Sequence, residues 1–168
     1  MRFTTASVPE VGIPADIERE IDAMMAAVPN PPLDQEIKER IRLWLCELQI
    51  DAIGLWQIVP ALRNGYELAG ENLQRYLQIV VTALLRSGAK PVMGCGPNGY
   101  YSWRPTAIFG ETVKAMARII AAEWANNAAY PDVEDAWFAI QAIYDSPRRD
   151  IPLQFFTEEE LAKLAKKQ

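Results

Sequence analysis

Histidine is absent from the 168-residue sequence, and its absence removes the chemistry that most often marks an active site. Without an imidazole, neither a Ser-His-Asp nor a Cys-His arrangement can activate a nucleophile, and no histidine can ligate zinc. Cys46 and Cys95 are the two cysteines, which is too few for a four-ligand zinc site. We therefore predict no metal site and no cofactor, although a site built from carboxylate oxygens stays open.

Cys95 lies in a glycine-rich segment, 94–99, whose letters match the pattern G-x-G-x-x-G. In dinucleotide-binding proteins this pattern follows a strand and opens a helix. Here a helical pattern lies upstream, a strand pattern closed by Pro105 lies downstream, and no lysine follows Gly99 as a P-loop would require. We interpret the segment as a hairpin turn that leaves Cys95 accessible, with no visible base to activate its thiol.

The residues after this turn are of the types that dominate binding interfaces. Tyr100, Tyr101, Trp103 and Arg104 follow the glycines closely, and Tyr, Trp and Arg are enriched in interface hot spots. Alternate residues of a strand face opposite sides, so we expect Trp103 to fill the core. The candidate partner-binding residues are Cys95, Tyr100, Tyr101 and Arg104, and we expect the loop 94–104 to take part in function.

Helices must position this loop, because apolar residues recur three and four apart over most of the chain. Asp34 and Asp132 are the expected N-caps of the second and the sixth helix. The predicted helices span 15–28, 34–49, 53–59, 71–87, 111–127, 132 to about 144, and a short stretch after Thr157. The tryptophans expected on core-facing sides are Trp44, Trp56, Trp124 and Trp137.

The expected fold is mainly all-α, a single-domain bundle of six to seven helices with a small β-hairpin insert around residues 90–104. The strands of that hairpin are expected at 90–93 and 100–103. Residues 1–14 form an irregular leader in this interpretation, and residues 15–168 form one helical domain. The clearest helix is 71–87, where we expect Leu77, Val81 and Leu84 to be buried and Gly88 to follow the last turn.

The polar side of helix 71–87 suggests an alternative function. It carries the basic and amide side chains Gln74, Arg75, Gln78 and Arg86, which are types that read bases. Three helices followed by a hairpin is also the element order of a winged-helix module, with 71–87 as recognition helix and 90–104 as wing. Against this alternative, 17 basic residues face 22 acidic ones, and a net charge of −5 repels nucleic acid.

The charge balance instead favours a protein partner, and a negatively charged protein attracts a basic one. No apolar run is long enough to span a membrane, and the first twelve residues do not have the pattern of a signal peptide, so we expect a cytoplasmic protein. The function predicted is that of a non-catalytic acidic helical protein that binds another protein, of the adaptor or immunity/inhibitor type. A small metal-independent enzyme is the second alternative. It is ranked last because the sequence shows no catalytic constellation.

Overall fold

Helices make up most of the architecture. A computed structural model describes residues 12–94 and 103–145, together with Glu159 and Ala162. The helices are α1 (Ala15–Ala26), α2 (Pro31–Glu47), α3 (Leu55–Pro60), α4 (Gly70–Arg86), α5 (Val113–Ala125) and α6 (Gln141–Tyr144), and a π-helical turn (Ala61–Gly65) follows α3. The strands are β1 (Ile53–Gly54), β2 (Lys90–Gly94), β3 (Trp103–Pro105) and β4 (Trp137–Ala139). None of the described helices has the length and apolar character needed to cross a membrane.

The second helix begins earlier than its sequence suggests. Asp34 was expected at the N-cap, but α2 starts at Pro31 and its N-cap is Asn30. Proline suits the first helical position because its φ is already helical and its missing N–H would lack a partner there. Asp34 lies inside the first helical turn, where its Oδ2 accepts a hydrogen bond of 3.0 Å from the backbone N–H of Asn30.

The fourth helix is the centre of the core. It packs against α1, α2 and α5, and the segment Ile79–Leu85 is buried without interruption. A helix that is apolar on nearly all sides is typical of such a central position. The prediction that Leu77, Val81 and Leu84 are buried is confirmed, since all three have no exposed surface.

Gly88 ends α4 as its position predicted. Its φ is +98°, a left-handed conformation that favours glycine. The N–H of Gly88 donates to the carbonyl of Leu85 at 3.1 Å, and the N–H of Ala89 donates to that of Leu84 at 3.2 Å. This pair of bonds is a Schellman motif, and it turns the chain directly into β2.

The β part is larger than the expected hairpin. The four strands form one antiparallel sheet in the order β1-β4-β2-β3. A hairpin pairing is present, with Met93 opposite Arg104, but its second strand is Trp103–Pro105, where 100–103 was expected. Residues 95–102 lie outside the described part of the chain. The fold is therefore mainly helical with a small four-stranded antiparallel sheet, in which the hairpin supplies two neighbouring strands.

The segment 132–144 was predicted as one helix, and this prediction is wrong. Asp132 accepts the N–H of Glu134 at 2.8 Å through its side chain and caps a turn, not a helix. The chain then forms β4, and the four-residue α6 follows. Residues 136–139 are buried in succession because both faces of β4 are covered, and a helix with one core-facing side does not bury four consecutive residues.

Two other predictions concern residues outside the described part of the chain. The irregular leader was placed at 1–14, and the structure describes only its last residues from Gly12 onward. Of the helix expected after Thr157, only Glu159 and Ala162 are described, both helical.

Candidate functional site

The sheet has two unlike faces, because successive side chains of a strand point to opposite sides. The inner face packs against the helical core through Ile53 and Phe138, which lie opposite one another. The outer face holds a second, smaller apolar cluster. Its buried members are Ala52, Val92, Trp103, Trp137 and Ala139, and Val133, Ile143 and Tyr144 pack against them.

Three tryptophans lie in contact on the outer side of the sheet, and we call Trp103, Trp137 and Trp56 the tryptophan row. The ring centroids of Trp103 and Trp137 are 4.6 Å apart, and those of Trp137 and Trp56 are 5.8 Å apart at an interplanar angle of 64°. The indole N–H of Trp137 donates to the carbonyl of Val133 at 3.0 Å. Trp103 and Trp137 are buried as expected, but the prediction that Trp56 packs in the core is wrong, since 38% of its surface is exposed.

Gly54 makes room for the exposed end of the row. It lies opposite Trp137 in the β1–β4 pair, and a Cβ atom there would overlap the Trp56 ring and lie 3.1 Å from Cδ2 of Trp137. The N–H of Gly54 donates to Oε1 of Gln57 at 2.8 Å, which turns the chain from β1 into α3. Glycine at this position therefore lets the first turn of α3 bring Trp56 against Trp137.

The expected partner-binding residues are only partly placed. Cys95, Tyr100 and Tyr101 lie outside the described residues. Arg104 is exposed on the edge strand β3, and its register partner Met93 packs against the helical core. Because Arg104 follows Trp103 directly in the strand, the two side chains point to opposite faces, so Arg104 does not belong to the tryptophan row.

The cations expected on a nucleic-acid face make contacts within the molecule. Arg75 Nη2 donates to the carbonyl of Met25 at 2.9 Å, and its guanidinium lies 4.8 Å from the ring centroid of Tyr76. Arg86 Nε is 3.0 Å from a carboxylate oxygen of Glu20. Gln74 and Gln78 are half-buried, and the carbonyl of Gln78 accepts from the hydroxyl of buried Thr82. The two arginines on the polar side of α4 thus contact α1, through Met25 and Glu20.

A depression beside α2 was missed by the sequence reasoning. It has a volume of about 330 Å³ and is lined by Glu36, Glu39, Arg40, Leu43 and Tyr66. Leu43 is 56% exposed and lies on the side of α2 opposite to the buried residues Ile37, Ile41 and Trp44. The sequence signal that could have indicated this surface is the spacing of Leu43 and Ile50. These two exposed aliphatic residues lie seven positions apart in a segment that also contains glutamates.

Among the described ionisable groups with a shifted pKa, Lys38 takes part in an ion-pair network. Its Nζ lies 2.8 Å from Glu18 and 3.0 Å from Asp22, which joins α2 to α1. Burial alone would lower the pKa of Lys38, but the hydrogen bonds and the charges of the two carboxylates outweigh it and raise that pKa. Lys38 is therefore held protonated in a contact between helices.

The described residues contain no group of three or more His, Cys, Asp or Glu side chains placed to hold a metal ion. The chain matches no protein-family profile, no curated protein sequence and no solved structure. The class that the geometry defines is a mainly helical protein with a small antiparallel sheet, whose outer face carries a row of tryptophans.

Proposed function

We propose that this chain is a non-catalytic protein that binds another protein through the outer face of its sheet and the hairpin between β2 and β3. The observation that carries the proposal is the exposed end of the tryptophan row. Trp56 retains 38% of its surface while its ring is held edge-on against Trp137. A rigid, partly exposed tryptophan beside a packed apolar cluster is the kind of residue that contributes most to protein–protein affinity.

The hairpin extends the same region of the sheet. β2 and β3 are neighbours in the sheet, and Trp103 belongs to both the hairpin and the tryptophan row. Tyr100 and Tyr101 directly precede this strand in the sequence, and on that ground we include them in the proposed interface. Arg104 supplies a cation on the other side of the same edge strand.

The net charge of −5 supports a basic partner. Opposite charges on two proteins accelerate their association, and like charges disfavour binding of the wrong partner. We place this function in the cytoplasm, on the sequence ground that two cysteines do not make a disulfide framework.

The test compares three full-length tagged proteins in the native host: wild type, Trp56→Ala and Ile119→Ala. Ile119 is a matched control, since it is 39% exposed and lies on α5. Co-purifying proteins are quantified by mass spectrometry, and near-UV circular dichroism verifies each fold. We expect one partner to be retained by wild type and Ile119→Ala and reduced about tenfold or more by Trp56→Ala, as hot-spot truncations do.

A second variant tests the hairpin half of the interface. Tyr101→Ala combined with Arg104→Ala is expected to weaken binding of that partner by about 2 kcal/mol or more while the fold survives. If Trp56→Ala and this double variant both retain every partner of the wild type, the outer face and hairpin are not the interface. Loss of the partner in Ile119→Ala as well would show a general instability of the complex and also contradict the proposal.

A further inference from the structure

The solvent-facing side of α2 exposes two large aliphatic side chains in one row. Leu43 is 56% exposed, and Ile50, in the turn that follows the helix, is 77% exposed. The backbone N–H of Ile50 donates to the carbonyl of Glu47, so helix-like turns carry the row past the end of α2. Seven residues at 1.5 Å each place the two side chains about two helical turns, or about 10 Å, apart.

Leu43 also borders a concave surface. It lines the depression of about 330 Å³ together with Tyr66, Glu36, Glu39 and Arg40. Tyr66 is half-buried and packs against the main core, which fixes its ring beside the depression. The surface therefore has an apolar centre that is already formed and open to solvent.

Acidic side chains surround this apolar centre. Glu36 and Glu47 are exposed, and neither has an ion-pair partner among the residues that the structure describes. Exposed Glu67 directly follows Tyr66. Two cations are close: Arg42 pairs with Glu39, and Arg40, whose guanidinium lies 5.6 Å from the ring centroid of Trp44, keeps its charge. The four carboxylates of Glu36, Glu39, Glu47 and Glu67 outnumber these two cations, so the rim has a net negative charge.

We infer that this side of α2 binds an amphipathic helix of a partner protein, with aliphatic residues two turns apart and lysine or arginine on either side. The aliphatic residues of such a helix cover Leu43 and Ile50, and its cations meet Glu36 and Glu47. Helices commonly bind by laying an apolar side into a groove, and complementary charges then set orientation. This surface shares no residue with the tryptophan row, so the inference does not depend on the proposed sheet interface.

The test uses a capped 18-residue peptide of leucine and lysine whose leucines recur at helical spacing, and a second peptide with glutamate in place of lysine. Affinities for the full-length chain are measured by calorimetry. We expect the lysine peptide to bind and the glutamate peptide not to bind. Glu36→Lys with Glu47→Lys should weaken binding about tenfold, because two favourable charge contacts become repulsive. Leu43→Ala should weaken it severalfold, because an apolar contact is lost.

The matched control is Glu111→Lys with Glu123→Lys, which changes the net charge of the protein equally at exposed positions in and beside α5. Binding should survive in this control and in Trp56→Ala. An equal loss in both charge-reversal variants would reveal attraction by net charge alone and overturn the inference. It is overturned as well if neither peptide binds, if both bind alike, or if Leu43→Ala has no effect. A loss confined to Trp56→Ala would assign the peptide to the sheet face.

Discussion

At the scale of single residues, Asp34 joins the second helix to the central one. Its Oδ2 accepts the N–H of Asn30, and its Oδ1 accepts the hydroxyl of Tyr76 at 2.7 Å. Tyr76 is one of the largest fully buried side chains. Burial, and then its hydrogen bond and proximity to the Asp34 carboxylate, raise the pKa of Tyr76 above its ordinary value of 10.0. The phenol is therefore held in its protonated, donating form.

We expect Tyr76→Phe to lower the free energy of unfolding by about 0.5–1.5 kcal/mol near pH 7, because Asp34 loses a buried donor. The stability difference between wild type and Tyr76→Phe should decrease as the pH rises. Since the folded-state pKa of Tyr76 lies above the unfolded value of 10.0, its contribution is complete below pH 10.0 and is lost as the pH rises through the folded-state pKa. Urea unfolding at about pH 8 and about pH 10.5 should show the difference between wild type and Tyr76→Phe narrowing at the higher pH.

Tyr130→Phe serves as the control for this experiment. Its hydroxyl donates to Asn64 at the surface, so its removal should change stability little at either pH. A difference between wild type and Tyr76→Phe that stays constant over this pH range would contradict the role assigned to the Tyr76 hydroxyl.

At the scale of elements, Arg63 holds the end of α5 to the π-helical turn. Its guanidinium donates to the carbonyls of Trp124, Asn127 and Ala129 at 2.6, 2.5 and 2.7 Å. It also lies 4.9 Å from the ring centroid of Tyr130. The last carbonyls of a helix lack partners within the helix and carry partial negative charge, so a multivalent cation is well suited to this position. One side chain thus fixes the path of the chain beyond α5.

Arg63→Lys should destabilise the protein by about 1–3 kcal/mol, because a single ammonium cannot reproduce the planar fork that reaches three carbonyls. Hydrogen exchange should accelerate in the segment 124–130. Arg118→Lys is the matched control, since Arg118 is exposed on α5 and makes no ion pair or side-chain hydrogen bond among the described residues. Equal denaturation midpoints for wild type and Arg63→Lys would refute this account of the α5 end.

At the scale of the whole molecule, the composition limits which ligands the chain can hold. The full sequence has no histidine and two cysteines, and soft or borderline metals prefer nitrogen and sulfur ligands. We expect native protein, dialysed to remove loosely bound ions, to contain no stoichiometric zinc, iron or copper. Elemental analysis of protein from the native host measures this directly. One equivalent of any of these metals retained after dialysis would contradict the prediction.

The elements whose stability is mainly local could be predicted from the sequence. The helices α1, α2, α4 and α5 were predicted within a few residues, because apolar residues recur with the helical period along them. The Schellman ending at Gly88 and the pairing of the hairpin strands were also readable, since both depend on residues close in the chain. The burial of Leu77, Val81 and Leu84 followed from the same periodicity.

The remaining features could not be predicted from local patterns, because they depend on contacts between distant parts of the chain. β4 resembles a helix in its local spacing, and it is a strand because β1 and β2 supply its hydrogen-bonding partners from far earlier in the sequence. The tryptophan row combines residues of three separate segments, so no local pattern indicates it. In the sequence, Arg75 and Arg86 cannot be told apart from arginines that are free on the surface. Their contacts with Met25 and Glu20 of α1 arise because the two helices pack together. Leu43 is exposed for the converse reason: the described elements of the fold do not cover that side of α2.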